Sequence, residues 1–348
     1  MEYKMSKRVL ITGGAGFIAH TLVHHILTNT DWEVVTLDRL DYSGNLNRLH
    51  DILTEQPKEI TKRLKIVYHD LKAEVNAQVR AAVGEVDYIL HLAASSHVDR
   101  SIEYPMEFVM DNVVGTANIL NFARTQKNLS RFIYFSTDEV FGPAPKGVNY
   151  AERDRYNSTN PYSATKAGGE ELCVAYENTY GLPIYITHTM NVFGERQHPE
   201  KYIPSTIKKV RDGELVTIHS DPSKTIAGSR HYIHTRDVAE AILFLLDLSD
   251  NGAVFDKDFG GAKCPKFNIV GKEEIDNLEL AKLIAQSVGK ELNHEMVDFH
   301  SARPGHDLRY AMSGNYMKEL GWEPKVSLRE RIKQVVDWTL NNERWLKI

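Results

Sequence analysis

Val9-Leu10-Ile11-Thr12-Gly13-Gly14-Ala15-Gly16-Phe17-Ile18-Ala19 is an apolar run that breaks into glycines and resumes, from His20 to Leu27, at helical spacing. The run is short and partly β-branched, so the stretch reads as a buried strand, a glycine turn and a helix. Gly13 permits the tight turn, Gly16 lets the backbone approach a pyrophosphate, and the small Ala19 allows close packing. Phe17 and Ile18 open a helix whose amino terminus stabilises phosphate charge. A glycine pattern alone is a weak signal. Here a second strand, Glu33-Val34-Val35-Thr36-Leu37-Asp38, ends in an acid 25 residues after Gly13. Asp38 is placed to take both hydroxyls of an adenosine ribose, and its charge opposes a 2′-phosphate, which favours NAD over NADP. Arg39, next in the chain, is a cation that could accommodate that phosphate.

Further apolar runs follow at the spacing of alternating strands and helices. Leu64 to Tyr68 leads to Asp70 and Leu71; Asp70 is suited either to accept from an adenine amino group, with Leu71 against the ring, or to cap the next helix. Asp87 to Leu92 delivers Ala93, Ala94, Ser95, Ser96 and His97 to the same edge, where small residues leave room for a cofactor. For His91 and His97, read on their own, a structural hydrogen-bonding role fits better than acid–base chemistry. Arg131 to Ser136 reads as another buried strand, placing Thr137, Asp138 and Glu139 at its carboxyl edge, and Ile184 to Thr189 precedes Asn191. Five or six such strands make a Rossmann-type, doubly wound parallel α/β sheet. Between them, Pro105 to Arg124 reads as one helix.

Beyond Glu195 the alternation stops. Pro199, Pro204 and Pro222, a helix from about Ile203 to Arg211 and a polar loop from Ser220 to Ser229 point to a smaller C-terminal substrate-binding lobe. The expected division is residues 1–190 plus about 231–255 for an NAD-binding domain, and about 191–230 plus 256–348 for the lobe. Asp276-Asn277-Leu278-Glu279, with Gly289 at the far end, and Ser327-Leu328-Arg329-Glu330 are capping boxes for two helices of that lobe.

Composition excludes several classes. With 348 residues and 42% hydrophobic content the chain can bury a full core. Its net charge of −5 comes without a long single-sign block, giving no reason to expect nucleic acid or a membrane surface as partner. Only Cys173 and Cys264 are present, so neither a disulfide framework nor a metal site is indicated, and a reducing, cytoplasmic setting fits. No stretch approaches the roughly 20 apolar residues of a membrane span, and the polar amino terminus carries no targeting signal.

Chemistry concentrates between Ser136 and Lys166. Asn160 can cap a helix whose first position is Pro161, putting Tyr162 in the first turn and Lys166 four residues later on the same face. A tyrosine with its usual pKa of about 10 is a poor base at neutral pH, and a nearby ammonium favours its phenolate.

These residues resemble the extended short-chain dehydrogenase/reductases, and within them the nucleotide-sugar 4,6-dehydratases, over almost the whole chain. The family marks are Gly13-x-x-Gly16-x-x-Ala19, His91-Leu92-Ala93-Ala94, Tyr162-x-x-x-Lys166 and Asn191-x-x-Gly194. More discriminating are Thr137-Asp138-Glu139-Val140-Phe141-Gly142, Ser96-His97-Val98-Asp99-Arg100-Ser101, Pro199-Glu200-Lys201 and Arg303-Pro304-Gly305-His306-Asp307. Departures are Ala19 for the usual last glycine, Ser95 where bacterial members commonly have Glu, His188 at a variable position, and the longer 220–229 loop.

The resemblance implies that Tyr162 and Lys166, with Thr137 bonded to the same oxygen, oxidise the sugar at C4 with NAD. It implies that Glu139 then removes the acidified C5 proton, while a protonated Asp138 assists departure of the C6 hydroxyl. Hydride return to C6 with reprotonation of C5 leaves a 4-keto-6-deoxy sugar. It implies NAD contacts from Gly13, Gly16, Phe17, Ile18, Asp38, Asp70, Leu71, Ala93, Ala94, Tyr162, Lys166 and Asn191. The nucleoside-diphosphate sugar, dTDP-glucose as best guess, would meet Ser96, His97, Asn191, Lys201, Arg230 and Arg303, and a homodimer would form through the helices after Pro105 and Pro161. A 4-epimerase or decarboxylase of the same fold needs no acid pair beside Thr137, and a non-catalytic NAD-binding protein would need none of these side chains.

Overall fold

The structure, a computed structural model, describes residues 6–248, 264–298 and 309–347. Strand β1 (Arg8–Thr12) pairs in parallel with β2 (Glu33–Asp38) on one side; on the other it pairs with β4 (Tyr88–His91). β3 (Leu64–Tyr68) extends the sheet beyond β2, while β5 (Arg131–Thr137), β6 (Ile184–Thr189) and a last strand, Lys266–Ile269, extend it beyond β4. Seven strands thus form the doubly wound sheet. The seventh was not legible in the sequence, because Lys266 and Asn268 break its apolar run. β4 and β5 are buried along their whole length, which is why they read as continuous apolar segments rather than alternating ones. Strand order reverses between β1 and β4, and open α/β sheets hold ligands at such a switch point.

The helix Phe17–Asn29 follows Gly16 and buries Ala19, Leu22, Val23, Ile26 and Leu27. Pro105 to Arg124 departs from the single regular helix expected: Pro105–Val109 and Gly115–Ala123 are joined by a wider π turn, Met110–Val114. Such turns insert a residue into the helical register and frequently lie at functional sites. This one carries Asp111 and Asn112. The helix Pro161–Tyr180 contains Gly169, where a Cβ would stand 2.2 Å from the Tyr134 hydroxyl, so glycine is required for the helix to approach β5.

The chain divides into two compact units, residues 1–137, 161–188 and 239–267 forming the first, and 138–160, 189–238 and 268–348 the second. In the second, Phe193, Ile207, Leu280, Ile284, Ile332 and Val336 form a core between the helices Tyr202–Asp212, Asn277–Val288 and Leu328–Asn341. Both capping boxes have the expected donors: Asp276 accepts from the amides of Leu278 and Glu279 at 2.9 Å each, and Ser327 accepts from Glu330 at 3.3 Å. Gly289 closes the first of these helices in the left-handed conformation. Among the described residues, no helix is long and apolar enough to cross a membrane and no cluster is arranged to hold a metal ion.

Candidate active site

In the first unit a pocket opens at the carboxyl ends of the central strands, lined by Gly13, Gly16, Asp38, Asp70, Leu71, Ala93 and Ala94. Gly13 has φ +70°, and a Cβ there would stand 2.9 Å from the backbone of Ala93. Bare backbone is what leaves a cradle for a pyrophosphate. The helix behind it starts at Gly16 with no side-chain cap and no acid in its first turn, where Phe17 and Ile18 lie. Its amino-terminal N–H groups and the positive end of its dipole are therefore suited to phosphate. Asp38 is buried and anchored from both sides: Oδ2 accepts from the Ala15 amide at 2.9 Å, and Oδ1 accepts from Leu40 at 2.8 Å. Burial raises its pKa, against the pull of those two amides. Each oxygen keeps acceptor capacity for a ribose hydroxyl.

The alternatives left open for Asp70 narrow here. Asn76, not Asp70, caps the helix Ala77–Val83 by accepting from Val79 at 2.9 Å. Asp70 accepts from the Lys72 amide and faces the pocket.

Helix Pro161–Tyr180 begins at the residue expected. The Tyr162 ring meets Phe108 edge-on with centroids 6.4 Å apart. Thr165 donates to the Tyr162 carbonyl and accepts from the Asn112 amide, and Asn112 exchanges hydrogen bonds with the backbone of Ser95 at 2.8 and 3.0 Å. One buried amide on the π turn therefore ties the loop after β4, which continues to Ser96 and His97, to the Tyr162 helix. Lys166 is buried with its ammonium 4.3 Å from the Tyr134 ring centroid. Burial lowers its pKa to about 8 while the Glu170 charge holds it up, so it is mostly cationic at neutral pH. Thr137 ends β5 in this unit and is buried. His91 is enclosed between the Thr12 and Thr116 hydroxyls at 2.7 and 3.1 Å, and burial drives its pKa to about 3. A neutral imidazole so placed serves structure.

One turn beyond Lys166 lies a cluster that carries no motif in the sequence. Glu170 is fully buried, accepts from Ser136, and faces His188 Nε2 at 3.2 Å and the Lys266 ammonium at 3.3 Å. Burial pushes its carboxyl up, but His188, Lys266 and Ser136 outweigh it and the pKa falls to about 2.

In the second unit the turn Asp138–Phe141 carries the acid pair. The Glu139 carboxylate accepts from the Asn160 side chain at 3.0 Å. Burial, then the neighbouring Asp138 charge, lifts Glu139 to about 7, with Asn160, Arg230 and Lys201 pulling the other way. Arg230 donates to the Ser229 carbonyl, and its guanidinium lies 4.8 Å from the Tyr310 ring centroid. Lys201 precedes the helix Tyr202–Asp212, and the Asn191 carbonyl accepts from Ile233. Arg303 lies outside the described residues. Asn160 as a partner of Glu139 had no signal in the sequence beyond its value as a cap. Asp111, which also lines the pocket of the first unit, had only the oddity of an acid within an apolar helical run.

The chain matches the GDP-mannose 4,6 dehydratase family over residues 10–335. Among curated proteins it is similar to the low-salt glycan biosynthesis protein Agl12 of Haloferax volcanii, with 38% identity over 335 residues, 96% of this chain and 99% of the relative. It is also similar to a dTDP-glucose 4,6-dehydratase of Escherichia coli, with 34% identity covering 97% of this chain and 95% of that one. Among solved structures, the dTDP-glucose 4,6-dehydratase DesIV from Streptomyces venezuelae, with NAD bound, aligns with a TM-score of 0.82 and 34% identity over 97% of this chain and 98% of its own.

Proposed function

The chain belongs to the GDP-mannose 4,6 dehydratase family, a family of nucleotide-sugar enzymes, and from that membership we propose that it converts dTDP-glucose to the dTDP-4-keto-6-deoxy sugar and water, with NAD as its cofactor. The names of the E. coli relative and of DesIV support this nucleotide and sugar. The observation that carries dehydration rather than epimerisation is Glu139: next to Asp138 and bonded to Asn160, its carboxyl titrates near 7. A base matched to neutral pH is what removal of a carbon acid requires. Transferring a hydride to and fro between C4 and C6 of the sugar is the chemistry that NAD supplies when bound.

The residues divide the remaining work. Tyr162, whose phenolate the Lys166 cation favours, takes the O4 proton, and the Thr137 hydroxyl bonds the same oxygen. With C4 a ketone, the C5 proton becomes acidic and Glu139 removes it. Asp138 gives a proton to the departing C6 hydroxyl, which leaves as water, and C5 regains a proton when hydride returns to C6. Arg230 and Lys201 supply positive charge for the diphosphate, with Arg303, Asn191, Ser96 and His97 as further substrate contacts. The same reading makes the protein a homodimer through the segments after Pro105 and Pro161; the exposed side chains of Tyr104, Met106 and Met110 support it.

The deciding experiment is to incubate the purified protein, without reductant, with dTDP-glucose, UDP-glucose, CDP-glucose, UDP-N-acetylglucosamine and GDP-mannose, and to follow each by mass spectrometry. Loss of one water from dTDP-glucose is expected. Loss from another sugar nucleotide instead would move the substrate, and a mass-neutral change of sugar would replace dehydration by epimerisation.

A further inference from the structure

Arg39 follows Asp38 directly and lines the same pocket, so by position it is suited to receive a 2′-phosphate. The structure shows what it does instead. Its Nη1 and Nη2 grip Asp111 in a two-pronged pair at 2.5 and 2.8 Å, and Nε and Nη2 donate to Asp41 at 3.0 and 2.7 Å. Nη1 also lies 3.6 Å from Asp70. Those bonds occupy the guanidinium's fork almost completely. Asp111 is the fixed end of this arrangement: its side chain is 7% exposed and accepts from the Ser95 hydroxyl at 2.6 Å. It sits on the π turn, whose Asn112 is bonded to the backbone of Ser95.

We propose that Asp111 is a specificity-determining residue, which keeps the adenosine subsite selective for a free 2′-hydroxyl by sequestering Arg39. To meet a 2′-phosphate, Arg39 would have to abandon a desolvated carboxylate, and removing one partner of such a pair is costly. The pocket otherwise presents the carboxylates of Asp38, Asp41, Asp70 and Asp111 against two cations, Arg39 and Lys72, and Lys72 is itself 3.5 Å from Asp70. A dianionic phosphate therefore meets net negative charge with no guanidinium released to receive it. Ser95 fits the same account, since its hydroxyl donates to the carboxylate of Asp111 and helps to hold it on Arg39.

The inference rests on the NAD reading above and is tested by binding rather than turnover. Full-length protein freed of nucleotide is titrated calorimetrically with ADP-ribose and with 2′-phospho-ADP-ribose. The wild-type protein is expected to prefer ADP-ribose by roughly 100-fold or more, and Asp111→Asn to narrow that ratio at least about 10-fold by gaining affinity for the phosphorylated probe. Adding Arg39→Ala to Asp111→Asn should restore the wild-type ratio, a response that mere loosening of the pocket would not give. Melting temperatures establish that each variant is folded. An unchanged ratio in folded Asp111→Asn, or a gain that persists without Arg39, overturns the proposal. Failure of the wild-type protein to bind ADP-ribose would overturn the NAD reading with it.

Discussion

Glu139, in the turn after β5, and Glu170, on the helix that carries Lys166, are both carboxyls lifted by desolvation, yet one settles near 7 and the other near 2. The difference lies in their neighbours. Glu170 has an imidazole, an ammonium and a hydroxyl, all directed at its two oxygens. Glu139 has the neutral Asn160 amide at hydrogen-bond distance, more remote cations, and a second carboxyl beside it in the chain. A buried acid surrounded by donors, one of them an ammonium, becomes a fixed charge that holds structure. One whose neighbours compensate its burial less fully remains able to exchange a proton near neutral pH. Location in the interior therefore says little about role until the partners are weighed.

That contrast can be broken most severely at Glu139. Glu139→Gln should lower dehydration by about 10²–10⁴-fold, the usual worth of a general base, while leaving oxidation at C4 intact. Reduced cofactor accumulating on the variant with substrate, without loss of water, is the expected signature; normal dehydration would remove Glu139 from the role.

At Glu170 the expected loss is of stability. Glu170→Gln should cost about 3 kcal/mol at pH 7, measured by denaturant unfolding, since it strips a buried charge from His188 and Lys266. The sign follows from the depressed pKa. Stabilisation from Glu170 is complete above the unfolded carboxyl's value of about 4.5 and disappears as pH falls through the folded value of about 2. The gap between wild type and variant should therefore close over that acidic window, and a gap unchanged from neutral pH down to about pH 2 would show that the ionised carboxylate of Glu170 is not what stabilises the cluster.

The smallest change sharpens the comparison from the other side. The kcat/KM of dehydration should fall below about pH 7 as Glu139 takes up a proton and above about pH 8 as Lys166 loses one. Asn160→Ala deletes the amide that favours ionised Glu139, so the acid limb should move upward by about one pH unit, equivalent to roughly 1.4 kcal/mol. The alkaline limb should stay in place. Movement of both limbs together would show that Asn160 acts on the site as a whole and not on Glu139.

Much of the fold and of the site is legible in the residues alone, and the exceptions are specific. The strand, glycine turn and helix at Val9–Leu27, the acid at the end of β2 and the start of the helix at Pro161 are local facts, written in residues a few positions apart. The two capping boxes are equally local. Pro105 to Arg124 misleads because its apolar spacing fits an ordinary helix; on the π turn Asn112 and Asp111 are held by Ser95, Thr165 and Arg39, all distant in sequence. The strand Lys266–Ile269 escapes notice because Asn268 interrupts its apolar run, and that fully buried amide is accommodated by the carbonyls of Tyr150 and Ser313, distant in sequence.

Sequence by itself determined the parallel α/β sheet, the glycine cradle with Asp38, and the order Thr137, Asp138, Glu139, Tyr162, Lys166, because each depends on short-range periodicity or adjacency. Tertiary structure alone decided that Arg39 is bound by Asp111 and Asp41, that Asn160 serves Glu139, and that Glu170 is a fixed anion while Glu139 is poised near neutrality. Charge and proton affinity are set by whatever groups folding brings within a few ångströms, and apart from Asp138, next to Glu139 in the chain, these partners lie between 2 and 96 residues away.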